Sequence, residues 1–122
     1  MAEPAKKIWR LPGKAKGRVG GSAFGGLVWV AAVSDATDPD VARQAADLFA
    51  KLERMLAEMG SDKSRIISAT VYLADLSIKS AFDDAWVAWV GENHDDWPQR
   101  TCVGADLVKP YLVEIKLLAA EA

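Results

Sequence analysis

An amphipathic helix between Asp38 and Gly60 is the strongest structural signal in the sequence. Asp38 followed by Pro39 is typical of a helix start, with Asp as the N-cap and Pro at the first helical position. Gly60 is expected to close the helix as its C-cap. Apolar residues recur between them at spacings of three and four and so share one face: Val41, Ala45, Leu48, Leu52, Met55, Leu56 and Met59.

Most of the remaining chain has the pattern of strands. Gly25-Gly26 separates two apolar segments and is typical of a hairpin turn. A second helix is expected from about Ile78 to Glu92, with Phe82, Trp86 and Trp89 on one face. Strands are predicted at 19–24, 27–33, 66–75, 100–106 and 111–120.

The resulting order, β-β-α-β-α-β-β, indicates an α+β sandwich with two helices on one face of a mixed sheet. The 122 residues fit a single domain, in which residues 1–18 are expected to form a partly ordered arm. In the last strand, Leu112 and Leu118 are expected on the face without helices. A partner subunit is the natural cover for that face.

Charge and cysteine content exclude several classes of protein. The net charge of −2 gives no basic excess for nucleic acid or anionic membrane. Cys102 is the single cysteine, so no internal disulfide is possible. The sequence carries no signal-peptide pattern and no apolar run long enough to span a bilayer. A cytoplasmic protein is the simplest expectation.

Motifs for metal or nucleophilic chemistry are weak. His94 is the only histidine and stands beside acidic residues in a loop, with too few nitrogen or sulfur ligands for a metal site. A Ser-His-Asp triad is disfavoured because no G-x-S-x-G elbow is present. The glycines near residue 20 lack the G-K-[ST] of a phosphate loop. Cys102 lies within a strand and is expected to be an inert small hydrophobe.

Arg100 and Glu114 remain as candidates for chemistry. Arg100 opens the strand in WPQRTCVGAD, although a guanidinium is costly to bury without a partner. Both residues could be ordinary surface groups or a cross-strand ion pair. Alternatively, Arg100 is a fork that takes a substrate carboxylate bidentately, and Glu114 handles a water or a proton nearby.

Three segments resemble the RidA/YjgF family of enamine and imine deaminases: PQRTCV at 98–103, VEIKLLAA at 113–120, and RIISATVYLADLSIKSAFDDAWVAWV at 65–90. The resemblance covers roughly residues 26–120. It implies a chorismate-mutase-like α+β subunit that assembles into a homotrimer, with active sites in clefts between subunits. Attack of water on an iminium needs no metal or cofactor, because the cationic nitrogen already serves as electron sink.

The resemblance also assigns roles to individual residues. The carboxylate-binding arginine falls on Arg100, a cysteine that binds through its main chain on Cys102, and the glutamate of the catalytic water on Glu114.

The chain departs from the family pattern on the substrate-binding side. A Ser-Gly pair is replaced by Ala31-Ala32, an asparagine by Asp83, and an aromatic residue by Arg18.

The presence of Arg100 and Glu114 at the family's positions favours hydrolysis of 2-imino or enamine acids to 2-oxo acids with release of ammonia. The alternative is a non-catalytic trimer that binds small carboxylates as a sensor or chaperone-like module, which the changes at Ala31-Ala32 and Asp83 favour. RNA cleavage, attached to relatives of the family, is disfavoured by the negative net charge and the lack of a stacking platform.

Overall fold

The computed structural model describes residues 7–122. Within this range six strands and two helices follow one another, and short 3₁₀ turns precede β4, α2 and β5. The elements are β1 (Trp9–Leu11), β2 (Gly21–Phe24), β3 (Leu27–Val33), α1 (Val41–Glu58), β4 (Ile66–Leu73), α2 (Lys79–Val90), β5 (Gln99–Gly104) and β6 (Val113–Ala120).

The strands form one mixed sheet in the order β1-β2-β3-β6-β4-β5. The neighbours β4 and β5 run parallel, and the other neighbouring pairs are antiparallel. Both helices pack on the same side of this sheet, which we call the helix face, and the opposite side is the open face. The α+β architecture is therefore confirmed.

The core lies between the helices and the helix face. Alternate residues of β6, Val113, Ile115 and Leu117, are fully buried there, as the period-two pattern predicts. The open face of β6 carries Glu114, Lys116 and Leu118, none of which is fully buried in the single chain.

The expected position of Leu112 is wrong. This residue precedes β6, so strand alternation does not determine its direction, and its side chain packs against the core.

The ends of α1 differ from the prediction by two residues at the start. Asp40, not Asp38, is the N-cap, and its side chain accepts a hydrogen bond from the Ala42 amide. Asp38 instead accepts from the amide of Asp40 in the preceding turn. At the other end Met59 is the cap, and Gly60 follows it with φ +82°. A left-handed conformation at this position is the usual reason for a glycine after a helix.

The N-terminal arm contains a strand that the sequence pattern missed. β1 pairs with β2 along its whole length, with Trp9 opposite Ala23 and Leu11 opposite Gly21. Residues 9–11 of the arm that was expected to be partly ordered thus form a strand, and residues 1–6 of that arm lie outside the described residues. Three residues are too few to show a period of two, so the strand has no readable pattern.

Gln44 on α1 ties two loops together. Its side chain is fully buried. The amide nitrogen donates to the carbonyl oxygens of Asp38 at 2.8 Å and Pro110 at 3.0 Å, and the amide oxygen accepts from the Leu112 N–H at 2.9 Å. Gln44 therefore couples the segment before α1 to the segment before β6.

Asp47, one turn further along α1, holds the loop that follows β3. One carboxylate oxygen accepts hydrogen bonds from the Ser34 hydroxyl at 2.7 Å and from the amides of Asp35 and Ala36. The hydrogen bond from Ser34 and those from the amides lower the pKa of Asp47 below its ordinary value, because they stabilise the ionised carboxylate.

Candidate functional site

Arg100 lies on the edge strand β5 and extends over the helix face. Its backbone is in register with Ala69 of β4, a core residue, so both side chains point towards α2. The guanidinium carbon lies 5.7 Å from the ring centroid of Phe82 and 5.3 Å from that of Trp86. The side chain is only 19% exposed. Cation–π contacts with these two rings thus offset part of the free energy lost when the guanidinium is removed from water.

Asp83 and Lys79 complete a charged cluster with Arg100. The Nη2 of Arg100 donates to Oδ1 of Asp83 at 2.8 Å, and the Nζ of Lys79 donates to Oδ2 at 2.6 Å. Each oxygen of the carboxylate therefore serves a different cation. We call these three residues the Arg100 cluster, and its formal charge is +1.

The pKa of Asp83 reflects this environment. Desolvation by burial acts to raise it, but the hydrogen bonds from Lys79 and Arg100 and the two positive charges outweigh that effect. The pKa of Asp83 is therefore lowered from its ordinary value, and the group is ionised near neutral pH.

One nitrogen of the Arg100 guanidinium forms no hydrogen bond with the described residues. Nη1 is buried and has no hydrogen-bond partner among residues 7–122. A buried donor left unpaired costs about 1–3 kcal/mol. The guanidinium is therefore only half satisfied by Asp83, and its buried Nη1 can take a second acceptor only when Arg100 moves from this position.

Cys102 lies two residues after Arg100 and on the same face of β5. Its side chain is partly buried against the hydrophobic core, and it is a free thiol. This placement agrees with the interpretation of Cys102 as a small hydrophobe. Its main chain is on the edge strand, next to the Arg100 cluster.

Glu114 lies on the open face, in the middle of the sheet. Its neighbours across the ladder are Val33 of β3 and Tyr72 of β4. Because β4 separates β5 from β6, and the partners of Arg100 and Glu114 on β4 are Ala69 and Tyr72, their backbones are roughly 14 Å apart. Their side chains point to opposite faces. The cross-strand ion pair considered from sequence is therefore wrong, and one chain does not bring these two residues together.

The two alanines expected in the pocket face opposite ways. Ala31 is exposed on the open face opposite Lys116, whereas Ala32 packs towards the core opposite Ile115. Because adjacent strand residues alternate, the two side chains do not share a face within one chain, and their part in substrate binding stays a prediction. Ala31 contributes to a shallow groove of about 140 Å³, also lined by Val19, Gly20, Gly21, Ser22, Trp29, Val30 and Lys116.

Arg18 is exposed in the segment that leads into this groove, next to Val19. The site residues expected from sequence therefore fall into two groups. Arg100, Asp83 and Cys102 lie on the helix side of one sheet edge, while Glu114 and Ala31 lie on the open face.

Other chemistry finds little support in the described part of the chain. Within residues 7–122, no three His, Cys, Asp or Glu side chains come together to hold a metal ion. His94 is 78% exposed beside Asp95, as expected for a loop histidine. Neither of the helices in this range has the length and apolar character needed to cross a membrane.

Comparison with known proteins identifies the family. Residues 25–121 match the family model described as Endoribonuclease L-PSP. The RutC family protein YoaB of Escherichia coli K12 is 42% identical over 89 residues, covering 72% of this chain and 76% of that protein. A crystal structure of a YjgF-family protein from Neisseria meningitidis superposes with a TM-score of 0.87 at 32% identity, covering 95% of this chain and 96% of the other. The chain belongs to the RidA/YjgF family.

A further solved structure and a further sequence relative extend the comparison. Yeast Mmf1 has a TM-score of 0.84 at 20% identity, over 95% of this chain and 100% of that one, which is a likeness of fold alone. A RutC family protein of Haemophilus ducreyi is 37% identical over 82 residues, covering 66% of this chain and 68% of that protein.

Sequence reasoning missed Lys79 and the aromatic support of Arg100. The i, i+4 spacing of Lys79 and Asp83 on a helix is a signal that could have found the first. Phe82 and Trp86 were expected to be core, which they are. Their second role, under the guanidinium, depends on how β5 crosses α2, and helical spacing carries no information about that crossing.

Proposed function

We propose that this protein hydrolyses 2-imino and enamine acids to 2-oxo acids and ammonia. The observation that carries the proposal is the half-satisfied fork of Arg100 on an edge strand, in a chain of the RidA/YjgF family. A planar guanidinium matches a carboxylate with two parallel hydrogen bonds, and every 2-imino acid carries a carboxylate next to its reactive carbon.

The reaction needs one water and no cofactor. Enamines first tautomerise to the imine, whose protonated nitrogen acts as electron sink. The oxygen of water then bonds to the imine carbon, and the π electrons of the C=N bond move to nitrogen. One proton of the water passes through Glu114 to the nitrogen and gives a carbinolamine with a protonated amine. The C–N bond then breaks as the hydroxyl oxygen forms C=O and gives its remaining proton to Glu114, which passes it to the departing ammonia, so that a 2-oxo acid and ammonium are released. Glu114 is thus assigned to general acid–base work.

A homotrimer with sites between subunits would reconcile the two groups of residues. Within one chain, Arg100 and Glu114 belong to opposite faces of the sheet. A second copy that covers the open face could bring its Glu114 towards the edge strand of the first. The partly exposed residues of the open face, Trp29 and Leu118 among them, support such a cover, since sheet faces of this kind are rarely left to water.

The direct test is release of ammonia from freshly generated 2-iminopropanoate. Arg100→Ala is expected to lower kcat/KM by about 100-fold or more, because loss of a charge-assisted bidentate contact costs a few kcal/mol. Arg43→Ala is the matched control, since Arg43 is an exposed arginine on α1. Full activity of Arg100→Ala, with the control also active, would remove Arg100 from the mechanism.

Glu114→Gln tests the proton transfer separately. General acid–base catalysis contributes about 10²–10⁴-fold, so kcat is expected to fall by at least 100-fold while KM changes little. Glu58→Gln, an exposed glutamate at the end of α1, is the control. Retention of wild-type kcat in Glu114→Gln would exclude Glu114 as the proton carrier.

The second candidate is a non-catalytic trimer that binds small carboxylates. The ion pair between Asp83 and Arg100 favours it, because the fork is already partly occupied by the chain itself. This candidate predicts saturable binding of a 2-oxo acid without ammonia release from any imine. Turnover by the wild type, lost in Arg100→Ala, would rule it out.

RNA cleavage is named in the description of the matching family model. The net charge of −2 argues against it for this chain, because affinity for RNA comes largely from cationic contacts with phosphates. The expected result is no cleavage of a single-stranded RNA substrate and no binding at modest salt.

A further inference from the structure

The carboxylate of Asp83 is bound to Nη2 of Arg100, one of the nitrogens that a bidentate carboxylate would use. The contact is a single hydrogen bond, from Nη2 to Oδ1 at 2.8 Å. The other oxygen of Asp83 is held by Lys79 at 2.6 Å, so Asp83 does not form the two parallel bonds that make Arg–carboxylate pairs strong.

The same contact holds the guanidinium in an inward position. Nη1 is buried without a partner in the described part of the chain, and the aromatic rings of Phe82 and Trp86 lie within 6 Å of the guanidinium carbon. A ligand carboxylate cannot reach Nη1 while Arg100 stays in this place. Bidentate binding through Nη1 and Nη2 therefore requires that Arg100 give up its contact with Asp83.

We infer that Asp83 is an internal competitor for Arg100 and sets the affinity and specificity of the site, while Lys79 keeps that competitor displaceable by holding its second oxygen. This inference rests on the proposed function, in which Arg100 is the carboxylate fork. A planar carboxylate can form two bonds to the fork and so displaces the single bond of Asp83. A neutral analogue of the same shape cannot.

The two flanking residues have opposite effects. Removing the charge of Asp83 leaves the cluster with two cations and frees the fork, which strengthens carboxylate binding. Removing the charge of Lys79 leaves a neutral Arg100–Asp83 pair and frees Oδ2 of Asp83 to bind the guanidinium as well. Binding of a ligand carboxylate is then weakened. Because a change of charge alone also gives opposite signs, competition is identified by an effect at Asp83 that exceeds the effect of the same change at its exposed neighbour Asp84.

The test measures binding of pyruvate, a 2-oxo acid that does not turn over, by isothermal titration calorimetry on the whole protein. Asp83→Asn is expected to bind pyruvate about tenfold more tightly, and Lys79→Gln at least threefold more weakly, than the wild type. Asp84→Asn, the exposed neighbour on α2, is the matched control and is expected to leave binding unchanged. Pyruvamide, which has no carboxylate, is expected to respond to none of these substitutions.

Because pyruvate binding needs no catalysis, its outcome is independent of whether imines are hydrolysed. Unchanged or weaker pyruvate binding in a folded Asp83→Asn variant would overturn the inference. An absence of pyruvate binding in both the wild type and Asp83→Asn would also overturn it. If Asp83→Asn does not fold, Lys79→Gln decides alone, and equal or tighter binding there refutes the competitor role. In an active enzyme, Asp83→Asn is further expected to lower KM for 2-iminopropanoate with little change in kcat.

Discussion

Replacing Gln44 by leucine should destabilise the fold through three backbone groups that lose their partners. Gln44 is fully buried and satisfies the carbonyls of Asp38 and Pro110 and the amide of Leu112. A buried polar group left unpaired costs about 1–3 kcal/mol, and since these contacts are only part-buried we take about 1.3 kcal/mol each, or about 4 kcal/mol. Leucine has nearly the same volume, and its greater hydrophobicity returns about 1 kcal/mol. The expected net loss is about 3 kcal/mol.

Urea unfolding at a fixed protein concentration measures this loss, because association would otherwise shift the midpoint. The slope of the transition should stay unchanged, and the melting temperature should fall by roughly 12 °C. Arg43→Leu, on the adjacent exposed position of α1, should change stability by no more than about 0.5 kcal/mol. A loss below about 1 kcal/mol in Gln44→Leu would show that the three backbone groups find water, and would refute the coupling of the two loops.

Three further predictions concern stability and the support of Arg100. The pKa of Asp47 lies below its ordinary 3.8, so on acidification the unfolded chain binds this proton before the folded one does. Stability should therefore fall as pH drops from about 5 through 3.8 and below. In acid titrations followed by circular dichroism, Ser34→Ala should make this loss of stability shallower, and an unchanged profile would contradict the role given to the Ser34 hydrogen bond. Gly60→Ala should cost about 1 kcal/mol in denaturant unfolding, because alanine is strained at φ +82°. Among the described residues no atom lies within 4 Å of the added methyl group, so this cost comes from the backbone alone. No loss of stability would mean that the turn relaxes. Trp86→Leu should cost about 2 kcal/mol in the same assay and lower carboxylate affinity by removing one ring beside Arg100; unaltered affinity would separate that ring from the site.

The helices and central strands could be predicted because their patterns follow directly from burial. The helix beginning near Asp38 and the alternation of β6 both place apolar residues at the period of their element, and both are confirmed to within two or three residues. Gly60 was predicted at the end of α1 for the reason the structure gives, a backbone conformation that other residues rarely adopt.

The site could be predicted only as separate residues. Arg100, Asp83 and Glu114 were all selected from sequence, but which of them meet depends on the strand order, which inserts β4 between β5 and β6. The pairing of Arg100 with Asp83 depends further on the crossing of α2 over β5. These are tertiary relations between segments distant in sequence, and no local period encodes them. The short strand β1 was missed for the opposite reason, since it is too brief to have a period at all.

The indole of Trp86 lies 5.3 Å from the guanidinium of Arg100 and edge-on to Trp89, with ring centroids 5.4 Å apart. A cation at this distance perturbs the excited state of an indole, so displacement of Arg100 is expected to change the emission of this pair. The protein therefore carries its own fluorophore beside the fork, and occupancy can be followed by intrinsic fluorescence without a label.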